Sequence, residues 1–426
     1  MFNKLQLSVL TTSLIFVVTI FLAIYYSHIS LDAPYYLSVS RDIALGSVPY
    51  KDIYLSYTPL MMYLNALVYL AIDQFNYKIF LGFQFFIMLI SQLILFKLVV
   101  KYFKFSKLNA ALISVISGLA ILSADGTYIN LEVYMFLTVI GAIYFYFGKH
   151  IFLTGFFLGI SFLFKQYGIL NFLPFYLLIL FSKDEFFNKL VSLSLGAICS
   201  IIIFLFYFVV LENVALIAIL KQLSGYDYAQ YALLRSPDFI TWFLGAKVFL
   251  ILLLPAVVLL NKKLFLKQNL PWLIGALIHL MLTFFQAFQH YVILAFPYIF
   301  MLYALNWKSS SSLFLKSLLA SSITLALLSN FRILRYKHVY SHQIETAETA
   351  EKVIPKNARI FLNGDIRYLY CVNNYKNPLK QEIGYSYFHF LTAEDFKDIN
   401  ILSPFPIENL NTDALELVGK DFYLKL

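Results

Sequence analysis

The sequence predicts an all-α polytopic membrane protein of about eleven transmembrane helices, with a small α/β domain at its C-terminal end. Three observations carry this. The 426 residues are 61% hydrophobic and only 13% charged, against about 25% charged in a soluble domain. The apolar residues fall in recurrent runs close to the roughly 20 residues a helix needs to cross hydrocarbon. Charge is also unevenly spread. Residues 331–426 hold 12 basic and 12 acidic side chains, whereas residues 1–330 hold 20 basic and 11 acidic ones and so carry the whole net charge of +9. Residues 1–330 are therefore expected to form a membrane domain, and 331–426 an extracytoplasmic, soluble-type tail.

Spans are expected near 7–27, 79–100, 108–124, 132–147, 151–165, 168–182, 190–211, 240–260, 270–289, 291–306 and 312–330. The run 7–27 has only Lys4 ahead of it and no small-residue cleavage site, so it reads as an uncleaved first span. The run 59–73, PLMMYLNALVYLAID, is about 15 residues long and decides the topology. If it lies along the surface as an interfacial helix, one side of the membrane collects 13 of the 20 basic residues before 331 and two acids, Asp184 and Glu185. The other side then holds six basic residues and nine acids. By the positive-inside rule the lysine-rich side is cytoplasmic, which puts the N-terminus in the cytoplasm and the tail outside. A crossing at 59–73 would instead move the cluster Lys97, Lys101, Lys104 and Lys107 outside. The same argument favours two short helices over one long bent helix across 151–182, with Lys165 at the outer surface. A plasma (inner) membrane location follows.

The loop after the first span concentrates charge beside the bilayer, where it is expensive unless it has a use. His28–Pro59 contains Asp32, Asp42, Asp52, Arg41, Lys51 and five tyrosines. Helical spacing runs from Ala33 to Leu45, and Gly46 and Pro49 break it. Asp32 stands just before this helix, where it reads equally as an N-cap ahead of Pro34 or as a catalytic acid. Asp42 reads as a solvated face. Asp52 reads as a turn residue or as a second acid.

The next outward loop carries Asp125 and Glu132. Asp125-Gly126 reads as a tight turn. Glu132 opens an apolar helix at membrane depth and is harder to explain structurally. Carboxylates from two loops suit either a divalent metal or a hydroxyl awaiting deprotonation, and the residues leave both open. Arg41, Lys165, Arg235 and His290 fall on the same side, where an anionic headgroup such as a phosphate needs such partners. Interfacial snorkelling is the plain alternative for Lys165 and Arg235, and a simple interfacial residue the alternative for His290. The two cysteines, Cys199 and Cys371, exclude a disulfide framework. In the tail, KVIPKNARIFLNG reads as a turn leading into a short strand.

Taken together, LDAPYYLSVSRDIALGSVPYKDIYLSYTPLMMYLNAL resembles the first-loop signature of the GT-C glycosyltransferases, within them the protein O-mannosyltransferase and lipid A aminoarabinose transferase group. The resemblance rests on Asp32, Tyr35-Tyr36, Gly46-x-x-Pro49-Tyr50-x-Asp52 and Pro59-Leu60. It is extended by NLEVYMF around Glu132, by GFFLGISFLFKQYGILNFLP around Lys165 and by QHYVILAFP around His290, and it covers roughly residues 5–305. Two positions depart from the group. Ala33 follows Asp32 where the group often has Glu, and Thr58 stands where Lys or Pro is common.

The resemblance implies transfer of a sugar from a polyprenyl-phosphate carrier to an acceptor hydroxyl or phosphate on a lipid, glycan or protein. Asp32 would be the general base, Asp52, Asp125 and Glu132 its acidic support or metal ligands, and Arg41, Lys165, Arg235 and His290 the donor-binding groups. No nucleic-acid partner is implied. The tail reads equally as an acceptor-binding element or a stabilising cap. A transporter or flippase of lipid-linked sugars is the main rival, but no internal repeat is visible and most charges lie at the ends of the spans. An acyltransferase or ligase would require His290 rather than Asp32 to dominate.

Overall fold

The computed structural model describes residues 4–26, 29–30, 32–53, 55, 57–72, 75–182, 185–223, 247–256, 267–286, 289–307, 312–335, 337–353, 360–362, 400–402 and 423–424. Among the described residues the membrane part is built of helices, as the sequence predicts. Its helices are α1 (Lys4–Tyr26), α2 (Ala33–Ala44), α3 (Leu60–Ile72), α4 (Tyr77–Phe103), α5 (Lys107–Ile121), α6 (Leu131–Phe147), α7 (Ile151–Phe164), α8 (Phe172–Ser182), α9 (Phe186–Leu205) and α10 (Leu216–Leu223). There follow α11 (Lys247–Ala256), then α12 (Leu270–Gln286), α13 (Phe296–Asn306), α14 (Ser312–Arg335) and α15 (Val339–Val353). In the tail, β1 (Ile360–Leu362), β2 (Asn400–Leu402) and β3 (Tyr423–Leu424) pair in parallel in that order.

Every expected span contains an apolar helix; for 240–260 only 247–256 is described, and 168–182 and 291–306 each begin in a 3-10 turn. Among the described residues, five helical stretches are long and apolar enough to cross a membrane: Val9–Tyr26, Tyr77–Phe103, Lys107–Gly126, Phe186–Leu211 and Ser317–Arg335. The remaining apolar helices are shorter, at 10–17 residues, and Leu60–Ile72 is one of them. Across 151–182 the helix stops. Lys165 is extended (φ −160°, ψ 142°), and a 3-10 turn over Gln166–Asn171 follows it before α8 begins. Gly168 lies so close to the Ser161 backbone that no side chain fits there.

The chain forms two compact units. One comprises Met1–Tyr25, Leu81–Tyr207 and Ser236–Arg335; the other comprises Tyr26–Phe80, Phe208–Arg235 and Tyr336–Leu426. In the first, α7 and α9 pack through glycines. A Cβ on Gly155 would strike the Leu193 carbonyl, and one on Gly196 the Phe152 carbonyl. Lipid gives helices no hydrophobic reason to associate, so close backbone approach of this kind supplies the packing energy. Serine and asparagine supply the polar contacts. Ser123 Oγ meets Ser329 Oγ at 2.7 Å and donates to the Leu325 carbonyl at 2.8 Å, tying α14 to the end of α5. Asn330 Nδ2 donates to Thr19 Oγ1 on α1 at 3.1 Å.

In the second unit α2 packs on α3. The helix α2 ends one residue short of the expected Leu45. There Gly46 takes φ +97°, and the N–H groups of Leu45, Gly46 and Ser47 return to the carbonyls of Arg41, Ile43 and Asp42. A left-handed residue is what this helix ending needs, and glycine adopts it without steric cost.

Candidate active site

Within the second unit, Asp32 sits at the N-terminus of α2 and is exposed. Its side chain caps nothing: the residue is already in the right-handed helical region (φ −88°, ψ −27°) and makes no side-chain cap hydrogen bond. Pro34 in the first turn sets the helix start instead. Among the described residues no cation pairs with the Asp32 carboxylate. Of the two readings open for Asp32, capping is thus the one this geometry does not use.

Asp52 is exposed and its carboxylate closes a turn. Oδ2 accepts from the Val48 N–H at 2.8 Å, while the Asp52 N–H donates to the Val48 carbonyl at 2.8 Å. Tyr50, inside the turn, has φ +68°. A non-glycine residue there stores strain of about 1–3 kcal/mol, and the Tyr50 hydroxyl, donating to the Tyr57 carbonyl at 2.8 Å, helps hold it. Arg41 is buried. Its guanidinium donates to Asp42 Oδ1 from Nε at 3.1 Å and from Nη2 at 3.0 Å. Asp42, read from the sequence as a wet face, is therefore an ion-pair partner, with its side chain 32% exposed.

The first unit gathers Asp125, Glu132, Lys165 and His290, which are remote in sequence. Glu132 opens α6, with Asn130 as N-cap accepting from the Val133 N–H at 3.2 Å. Glu132 and Lys165 are almost wholly buried, and Lys165 Nζ donates to Glu132 Oε1 at 3.1 Å and to the Tyr291 hydroxyl at 3.0 Å. The ammonium also lies 4.4 Å from the centre of the Tyr291 ring. Snorkelling is thus corrected for Lys165: the extended break after α7 turns its side chain inward, onto a carboxylate. His290 stands between two carboxylates, with Nε2 3.9 Å from Glu132 Oε2 and Nδ1 4.0 Å from Asp125 Oδ2. A plain interfacial histidine is corrected in the same way. Asp125 completes the series through an ion pair with Arg332, whose guanidinium carbon lies 5.1 Å from the centre of the Tyr128 ring.

Arg332 with Asp125 and Lys165 with Glu132 therefore form two ion pairs, and the His290 imidazole lies between their two carboxylates. Buried charges persist only when they are paired in this way. Arg332 is a member that the sequence hides, because the expected last span stops at 330. The structure continues α14 to Arg335, with Arg332 on its last turn. Gln84 on α4 is a second. Buried in the first unit, it donates from Nε2 to the carbonyls of Gly126 (3.1 Å) and Tyr128 (2.7 Å) and accepts from the Asn130 N–H at 2.8 Å. Asp125 has φ +71°, so the Asp-Gly turn is strained as well as tight, and Gln84 together with Asn130 holds it. A glutamine inside an apolar helix is the signal that could have found it.

Arg235 lies outside the described residues. As for a metal, among the described residues no group of three or more His, Cys, Asp or Glu side chains is arranged to hold one. The acids of the first unit are answered by Lys165 and Arg332 instead.

No family model matches the chain, and no curated protein matches it by sequence. Solved structures do. Over 92% of this chain and 85% of the other, it superposes on ArnT from Cupriavidus metallidurans bound to undecaprenyl phosphate, with a TM-score of 0.60 and 13% identity. The fold is that of ArnT, a GT-C lipid A aminoarabinose transferase. The apo form of the same enzyme gives a TM-score of 0.60 at 12% identity over the same shares. At such identities the agreement is one of fold. It meets the GT-C-like architecture expected from the first-loop pattern, and it makes the chain a multi-pass membrane protein of that architecture.

Proposed function

We propose that the protein is a membrane glycosyltransferase that takes a sugar from a polyprenyl-phosphate carrier and delivers it to an acceptor hydroxyl or phosphate on a lipid, glycan or protein. The observation that carries this is the superposition on ArnT holding undecaprenyl phosphate. The helices cross about eleven times, with α2 and α3 lying at the outer surface, the N-terminus in the cytoplasm and the α/β tail outside. Polar chemistry then takes place at an outer mouth, and the carrier's tail stays in lipid.

Asp32 is the general base. It removes the acceptor proton as the acceptor oxygen attacks the anomeric carbon. The bond between that carbon and the phosphate oxygen breaks, and polyprenyl phosphate leaves with the electron pair. Positive charge stabilises the departing phosphate, and Arg41, Lys165, Arg235 and His290 are its source. Asp52, Asp125 and Glu132 are acidic support, holding the loops and the cations in register.

The test uses the full chain in lipid nanodiscs with a panel of undecaprenyl-phosphate-linked pentoses, aminopentoses and hexoses. Release of undecaprenyl phosphate is measured with and without lipid and glycan acceptors. Acceptor-dependent release that disappears in Asp32→Asn is expected, since a positioned base contributes about 10²–10⁴-fold. Movement of intact donor across the bilayer without cleavage would support the flippase reading instead. A reporter fused after Leu426 is expected to read out outside the cytoplasm.

A further inference from the structure

The loop that carries Asp32 is held by amide side chains from distant parts of the chain. Gln343 stands on α15, the first helix of the tail. It belongs to a stripe of buried residues, Gln343, Ala347 and Ala350, spaced to face one way along the helix. Its side chain pairs with one residue on both sides. Oε1 accepts from the Ile29 N–H at 2.9 Å, and Nε2 donates to the Ile29 carbonyl at 3.0 Å. Ile29 is itself buried and lies three residues before Asp32. The Asp32 carbonyl in turn accepts from the Tyr36 N–H at 3.2 Å, joining the acid to α2.

The same device occurs on the far side of α2. Gln222 on α10 accepts from the Leu55 N–H at 2.8 Å and donates to the Tyr50 carbonyl at 3.0 Å, which brackets the turn of Asp52. A stripe that only needed to bury area would accept an apolar residue at position 343 with less desolvation. A reciprocal amide pair does something else, fixing the register and orientation of a single backbone residue.

We infer that Gln343 is a positioning residue, setting the backbone at Ile29 so that the Asp32 carboxylate is presented for deprotonation. On this view the first helix of the tail is part of the catalytic apparatus. The inference rests on the reading of Asp32 as the base, and it specifies how that base is placed.

The test compares Gln343→Leu and Gln343→Glu with Glu348→Gln, which lies on the exposed side of the same helix, and with Asp32→Asn. All are full-length chains in nanodiscs, assayed by release of undecaprenyl phosphate and by backbone hydrogen exchange. In both Gln343 variants, exchange over residues 29–37 is expected to rise about tenfold or more while residues 61–69 stay unchanged. Turnover is expected to fall by about 10–100-fold with KM held within about twofold, the signature of a misplaced reacting group. Glu348→Gln is expected to match the wild type. Wild-type turnover in both Gln343 variants beside an inactive Asp32→Asn would overturn the positioning role and leave the base standing. So would unchanged exchange over 29–37, or an equal loss in Glu348→Gln. Wild-type turnover in Asp32→Asn would overturn the base itself.

Discussion

Two acid-bearing regions of this molecule solve opposite problems. In the first unit, Asp125 and Glu132 are enclosed and each is matched by a cation, Arg332 and Lys165, with His290 between them. In the second unit, Asp32 is exposed at the start of α2 and Asp52 is exposed in a turn, and no described cation pairs with Asp32. A carboxylate locked in a buried pair has little freedom to accept a proton from a substrate, because removing its charge strands its partner. An exposed carboxylate at a helix start, with no cation beside it among the described residues, carries no such obligation. On the proposed reading the second region supplies the base, and the acids of the first hold its cations in place.

The sharpest way to break this contrast is Lys165→Met. It leaves Glu132 buried without its ion partner, and a loss of stability of about 3–5 kcal/mol is expected. Pairing it with Glu132→Leu should recover most of that loss, because both charges then vanish together. Thermal unfolding of the two variants in the same detergent measures both effects. If Lys165→Met melts like the wild type, the buried pair is not structural.

A smaller effect is expected from Gln84→Leu. The Gly126 carbonyl and the Asn130 N–H lose the Gln84 partner, while the Tyr128 carbonyl keeps Asn130 Nδ2 at 3.2 Å, so the cost is about 1–3 kcal/mol for each group left buried and unsatisfied, less whatever water recovers. Hydrogen exchange should rise at Asn130 while the middle of α6 stays protected. Smaller still is Asp52→Ala, which removes one hydrogen bond in an exposed turn and should cost about 0.5–1.5 kcal/mol in melting. A larger loss of turnover than of stability in Asp52→Ala would move Asp52 from the architectural class to the chemical one.

The division between the regions is only partly visible in the sequence. The helices were legible, because a run of apolar residues near the length of a span has few other uses in a chain this poor in charge. The end of α2 was legible because Gly46 has one dominant structural reason to be there. The break at Lys165 was legible from charge balance alone. What could not be read was pairing. Lys165 and Glu132 are 33 residues apart, and Lys165 and Tyr291 are 126 apart. Nothing local in a sequence distinguishes a lysine that turns inward onto a carboxylate from one that reaches for headgroups. Arg332 was hidden by a helix end misplaced by five residues. Gln84, Gln222 and Gln343 were hidden for a different reason: an amide that grips a remote backbone leaves no periodic trace. Asp32 was visible as a candidate because the first-loop pattern surrounds it, and the structure adds that it caps no helix.

The most direct test of the division of labour is one side-by-side measurement, melting temperature and turnover of Asp32→Asn and Glu132→Gln. Asp32→Asn should melt with the wild type and lose undecaprenyl phosphate release by about 10²-fold or more, whereas Glu132→Gln should melt lower, its turnover falling with its fold. Wild-type turnover in Asp32→Asn, together with a Glu132→Gln that melts normally and is inactive, would place the chemistry in the buried region and contradict the account.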